Sequence, residues 1–288
     1  APAAPPAHAE VAPEEAEALS ALQRGLRSTS ASARRAALCY LRGSVQRWAF
    51  HPVGCRLVQA ALEQCSTDDA AQLAAEMRGH VRQAIDDKHA NYVLAKIVEV
   101  LPGEPSAFIA QEMRHCAIAT VKHRFGCRIY CRLIESASLH SDAGALIEDV
   151  VARRAGELSR NEWAHFAVAH IFEHGLPQHK TIAARSVMRD PEFLRIVQHR
   201  HGRFVVEALF LHAAHEDQLA ALELLRSKIS LTALAQHEFG CMAVVAALRS
   251  QVRPALADEL ASRASQLQGS RYGQRVLREV ERLRHSPR

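Results

Sequence analysis

Seven cysteines, seventeen histidines and a scatter of arginines are the residues of this chain whose types could do chemistry. His123, Cys127 and Cys131 are four residues apart and offer nitrogen and sulfur at one helical stripe, a spacing that a zinc ion could use. The same spacing recurs elsewhere in the chain without ligand types, so no metal site and no cofactor are assigned. His199 with His201, and His212 with His215, read as ordinary members of a histidine-rich chain. The cysteines are odd in number and form no C-x-x-C pair, which favours free thiols in a reducing compartment. No G-x-x-x-x-G-K-[ST], H-E-x-x-H or G-x-S-x-G occurs, so the sequence gives enzymatic activity no support and the chain is read as a non-enzyme. The other recurrent chemistry is a small residue followed by two polar or planar ones, as in Gly54-Cys55-Arg56, Ala90-Asn91-Tyr92 and Gly126-Cys127-Arg128.

Those triplets must be positioned by something periodic. Segments 51–63, 87–99 and 123–135 align with one another, and the small residue serves as a phase marker at Gly54, Ala90 and Gly126, 36 residues apart. The phase continues at Ala164, Gly202 and Gly240 in steps of 38, and at Gly273 after a step of 33. Within the second copy Val93, Leu94, Ile97, Val98 and Leu101 share one helical face and predict a core side, with Asn91, Tyr92, Ala95, Lys96 and Glu99 opposite. Segment 106–121 predicts a second amphipathic helix, broken near Arg114 to Cys116 and followed by a short further turn. Pro102, Pro105, Pro177, Pro191 and Pro254 fall between the copies, where a helix interior does not have to accommodate them. No period-2 runs are present, so the chain is expected to be all-α.

One helix pair cannot close a core, so such copies must stack, and small rotations between neighbours curve the stack. The expected architecture is about seven repeats over residues 14–288. Segment 14–43, with Leu19, Leu22, Leu26, Leu38 and Leu41, is the N-terminal cap or a worn extra repeat, and the arginine-rich C-terminal helix closes the other end. Residues 1–13 are Ala/Pro-rich and are expected to be disordered. A net charge of +5 permits a nucleic-acid partner without requiring one. The absence of an apolar run of about 18 residues argues against a membrane span.

The segments HRFGCR, KHANYVL and Glu173-His174-Gly175, with MRGHV at 77–81, resemble Pumilio (PUF) family repeats over roughly residues 35–284. The resemblance implies a curved right-handed α-solenoid of Pumilio-type repeats. In that family each repeat offers one RNA base two edge-reading side chains four residues apart and one planar side chain that stacks. Carried over, the first copy supplies Cys55 and Gln59 as edge readers and Arg56 as stacker, a set that suits adenine. The second supplies Asn91 and Tyr92, with Ala95 where a glutamine is usual. The third has Cys127 and Arg128, with Cys131 at the second edge, and the fourth His165 and Phe166, with Ala169 there. The fifth has Arg203, Phe204 and Glu207, where Arg203 can satisfy the carboxylate in place of a guanine. Cys241, Met242 and Val245 in the sixth copy, and Gln274, Arg275 and Arg278 in the seventh, depart from the family's reading set. Lys96, Arg128 and Arg132 are expected to attract phosphate.

The resemblance therefore implies a monomeric binder of single-stranded RNA, in the 3′ region of mRNA, acting in post-transcriptional regulation in the cytoplasm with protein partners on the convex face. Two alternatives stay open: a nucleolar relative that holds structured RNA in ribosome biogenesis, and a protein-binding scaffold.

Overall fold

The structure, a computed structural model, describes residues 13–136 and 141–285, and these form helices and no strand. The segment expected to be disordered lies, up to residue 12, outside the described residues, and Pro13 opens a helix. No helix among the described residues is long and apolar enough to cross a membrane. The chain divides into two compact units, Ala1–Cys116 and Ala117–Arg288.

The copies before the last are built from three pieces, a short helix, a longer helix that starts at the phase marker, and an outer helix; the last has a short helix and the Arg271–His285 helix. In the first unit the marker helices are Gly54–Gln64 and Ala90–Val100, preceded by short helices Val45–Ala49 and Val81–Asp86. The two marker helices pack on one another, and the Pro13–Arg27 helix packs on the first of them in the same manner. The N-terminal cap is thus an additional repeat-like layer, with Leu19, Leu26 and Leu41 buried and Leu22 and Leu38 at its margins. In the second unit the marker helices are Gly126–Glu135, Ala164–His174, Gly202–His212, Gly240–Arg249 and Arg271–His285, each packed on the next. The break expected near residue 114 is present: Ala107–Met113 gives way to a 3-10 turn at Arg114–Cys116 and then to the Ala117–Val121 helix.

The marker is small because the first turn of its helix lies against the short helix before it. A Cβ on Gly126 would stand 2.1 Å from the Thr120 carbonyl oxygen, one on Gly202 2.3 Å from that of Ile196, and one on Gly273 2.2 Å from that of Leu267. The core side reads as expected in the second copy, where Val93, Leu94, Ile97, Val98 and Leu101 are all buried. Asn91, expected on the open side, is buried as well. Its amide donates to the Asp87 carbonyl at 2.7 Å, which satisfies it without solvent.

Carboxylates tie the first unit's layers together. Glu76 accepts from the backbone N–H groups of Gly43 and Val45 at 2.8 and 2.9 Å, and Glu112, 36 residues on, accepts from those of Gly79 and Val81 at 2.7 and 3.3 Å. Gly43 and Gly79 have φ of 75° and 78°, so the turns these carboxylates hold favour glycine.

The last helix is anchored by Glu279, buried between Arg249 of the preceding marker helix and Arg282 one turn on. Arg249 grips both carboxylate oxygens at 2.9 Å. These hydrogen bonds, Arg249 first, outweigh burial and hold the Glu279 carboxyl at about 2. A depressed folded pKa contributes stability that is present above the ordinary value of 4.5 and lost as pH falls toward about 2. Glu279→Gln is therefore expected to lower unfolding free energy by about 1–3 kcal/mol at pH 7. The gap between variant and parent should narrow in urea melts at progressively lower pH, and a gap that does not change with pH would count against the pairing.

Candidate nucleic-acid interface

The marker helices are aimed by a residue three positions before the marker. His51 Nδ1 accepts from the N–H groups of Val53 and Gly54 at 3.3 and 2.9 Å, and Asp87 Oδ1 from those of His89 and Ala90 at 2.7 and 2.8 Å. Asn161, His199 and His237 repeat the arrangement for the helices at Ala164, Gly202 and Gly240. Each thereby satisfies N–H groups that a helix start leaves unpartnered. A histidine accepts in this way only through an unprotonated Nδ1. Burial, followed by the nearby His201, Arg160 and Arg200 charges, pushes the His199 imidazole below its ordinary pKa and so favours that form. Sequence reasoning did not assign these residues, although a polar residue recurs at the position in every copy.

The residue after the marker, the first candidate edge reader, is buried in most copies. Cys55, Asn91, Cys127, His165 and Cys241 are each no more than 4% exposed. Their polar atoms meet their own backbone: Cys55, Cys127 and Cys241 donate Sγ–H to the carbonyls of Pro52, Arg124 and Glu238 at 3.3–3.5 Å, and His165 Nδ1 lies 2.9 Å from the Asn161 carbonyl. The next residue along is exposed in almost every copy. Arg56, Tyr92, Arg128, Phe166, Phe204 and Arg275 all face solvent, Phe166 at 52% and Tyr92 at 46%, while Met242 is half-buried. Large aromatic rings left that open are unusual on a helix whose other face is core, and each offers a flat face to a partner.

At the second candidate edge, Gln59 donates Nε2–H to the Cys55 carbonyl at 3.0 Å. Ala95 and Ala169 offer no polar atom, and Val245 is buried. Burial, then the adjacent Cys127, pushes the Cys131 thiol up to about 12, which keeps it protonated. Glu207 pairs with Arg203 at 2.9 Å, and that guanidinium lies 3.8 Å from the centroid of the Phe204 ring. Burial raises the Glu207 carboxyl against the pull of Arg203. In the seventh copy Gln274 donates to the Gln268 carbonyl at 2.9 Å, and Arg278 is exposed.

The cations expected to attract phosphate are partly engaged. Lys96 bridges Glu63 and Glu99 at 2.6 and 2.9 Å, and Arg132 pairs with Glu135 at 2.8 Å. Sequence periodicity put these cations on the open side without showing the carboxylates that would meet them.

The densest part of the row is in the second unit. The His165 ring lies 4.0 Å from Phe166, 4.7 Å from His201 and 5.7 Å from Phe204, nearly parallel to the last at 23°. Phe166, Phe204 and Ala169 help line an open cavity of about 310 Å³ between neighbouring marker helices. The possible metal ligands narrow as well: among the described residues His123, Cys127 and Cys131 do not gather three donor atoms, whereas His170, Glu173 and His174 do.

The model of the Pumilio-family RNA binding repeat matches residues 45–78 and 87–114, which contain the first two marker helices. A comparison with curated protein sequences finds no match. Among solved structures, the Puf3 RNA binding domain bound to a Cox17 RNA 3′ UTR recognition sequence is similar with a TM-score of 0.77 at 16% identity, over 93% of this chain and 84% of that one. PUF-8 in complex with PBE-RNA is similar with a TM-score of 0.78 at 17% identity, over 91% and 78%. The Puf4 RNA binding domain bound to the HO endonuclease RNA 3′ UTR recognition sequence gives 0.76 at 16%, over 92% and 83%.

Proposed function

We propose that this chain of Pumilio-family repeats binds single-stranded RNA on the exposed sides of its marker helices, and that it grips bases by stacking more than it discriminates among them. The observation that carries this reading is the exposed planar or guanidinium group two positions after the marker in every copy but the sixth, Arg56 and Tyr92 in the first unit and Arg128, Phe166, Phe204 and Arg275 in the second. A repeating series of flat faces suits unstacked bases, and stacking is tolerant of sequence because every base has a π-face. Puf3, Puf4 and PUF-8, whose fold this chain shares, are each described in complex with RNA.

Base reading is weakened by the burial of Cys55, Asn91, Cys127 and Cys241 and by the apolar or paired second edges. Gln59 of the first copy is the residue best suited to supply an edge contact, since its amide needs only to exchange the Cys55 carbonyl for a base. The RNA proposed is the 3′ region of mRNA, in cytoplasmic post-transcriptional control; the Puf3 and Puf4 domains are each described with a 3′ UTR recognition sequence. The buried first edges also favour a second reading, a sequence-tolerant grip on RNA during ribosome biogenesis in the nucleolus, which needs open basic residues where Lys96 and Arg132 are instead paired with carboxylates.

In a competition assay at moderate salt, single-stranded RNA should displace a labelled single-stranded probe better than duplex DNA of the same length. Duplex competing equally well would defeat the proposal. Selection of bound RNA from a random pool measures how much base reading remains: an enriched motif that is lost on Gln59→Ala assigns it to the first copy, and an unenriched pool leaves stacking alone.

A further inference from the structure

We infer that His170, Glu173 and His174 form a binding site for a divalent transition-metal ion of the zinc class. The three side chains stand at i, i+3 and i+4 on the Ala164–His174 helix, so one stripe carries them all. Their donor atoms lie within 4.8 Å of one another. Glu173 Oε2 is 3.5 Å from His170 Nδ1 and 3.8 Å from His174 Nε2, and the two imidazole centroids are 4.3 Å apart. Ligands at about 2.05 Å from a tetrahedral zinc ion are separated by about 3.3 Å, so small rotations of the side chains suffice. Two imidazoles and a carboxylate suit a borderline ion and leave the fourth position to water.

An independent feature lies behind the cluster. The other ring nitrogen of His170, Nε2, is 2.9 Å from Glu135 Oε1 on the neighbouring marker helix, and Arg132 donates to the second oxygen of that carboxylate at 2.8 Å. A carboxylate on the far nitrogen of a ligating histidine fixes the proton there and turns the Nδ1 lone pair toward the metal. Glu135 is therefore a positioning residue. The stripe also ends its helix, where the carbonyl ends of the backbone dipoles favour a cation. The competing cation is Lys180, which donates to the Glu173 carbonyl at 3.4 Å and leaves the carboxylate to the histidines. The site borders the cavity beside Phe166 and Phe204, so a bound ion would bring positive charge to a part of the row where Arg132 is already paired.

The test is calorimetric titration of the chelator-treated full chain with zinc chloride, together with visible absorption on titration with cobalt(II). One tight equivalent of zinc, and an intense visible cobalt band of the tetrahedral type, are expected. The pair His170→Ala with His174→Ala should weaken that equivalent at least 100-fold, and Glu135→Gln about tenfold. His215→Ala, an exposed histidine outside the cluster, should leave it unchanged. Several weak equivalents in place of one tight one, a weak octahedral cobalt spectrum, or a tight equivalent retained by the double variant would overturn the assignment. The cobalt spectrum of the parent chain reports the ligand geometry even if a variant folds poorly.

Discussion

Replacing Phe166 and Phe204 together by alanine is expected to weaken binding of single-stranded RNA by about 100-fold, the product of two lost stacking contacts worth about 1–3 kcal/mol each. Both rings are about half exposed, so their removal leaves little void and the fold should be retained. The loss should be nearly the same for oligonucleotides of different sequence, since a stacking face does not inspect the base edge. Fluorescence anisotropy with three or four unrelated RNAs measures both statements. Unchanged affinity would assign the rings to the His165 cluster alone, whereas a loss confined to one sequence would mean that this part of the row reads bases. Tyr92→Ala supplies the same test in the first unit, where the ring is 46% exposed.

Gly202→Ala is expected to cost stability although it adds only one methyl group. Its new Cβ would stand 2.3 Å from the Ile196 carbonyl oxygen and 3.0 Å from the Ile196 Cγ2, and the carbonyl belongs to the backbone of the preceding short helix. Relief requires that the short helix and the marker helix separate, at a cost of about 1–3 kcal/mol typical of overpacking. Gly126→Ala meets the Thr120 carbonyl at 2.1 Å and should behave alike. Urea unfolding followed by circular dichroism checks this through a lowered midpoint at unchanged slope. Gly79→Ala tests a different mechanism: nothing lies within 4 Å of its added Cβ, and the strain there comes from φ of 78°. If Gly202→Ala proved as stable as the parent chain, the close approach would not be what keeps the marker small.

The periodicity of the chain was legible from its residues because the marker is a steric requirement repeated in each copy. Only a residue with little or no side chain lets the first helical turn lie against the carbonyl of the short helix before it. The apolar stripes were legible for a similar reason, since Val93, Leu94, Ile97 and Val98 recur at helical spacing and are all buried. The break at Arg114–Cys116 also stood where expected. The planar residues two positions after the marker could be found by counting from it, and the exposure of Phe166 and Phe204 agrees with that count.

The role of the position one residue earlier could not be found in this way. Helical phase put Asn91 on the open side, and packing places it in the core instead. The structure buries it, along with Cys55, Cys127 and Cys241, because those small side chains can satisfy their polar atoms on a carbonyl of the turn just before the helix. The residues that cap the marker helices were visible as polar letters, but a histidine that accepts two backbone N–H groups is indistinguishable in sequence from a surface histidine. Lys96 presents the same difficulty, because Glu63 lies more than thirty positions away and joins it only when adjacent marker helices pack.

The sequence by itself determined the repeat, its phase, the all-helical class and the row of planar side chains, because each depends on sterics or spacing within one copy. The tertiary structure decided which polar groups remain available to a partner. Burial, ion pairing and the meeting of Glu135 with His170 depend on side chains brought together from different copies, and neighbours of that kind are set by packing rather than by spacing along the chain.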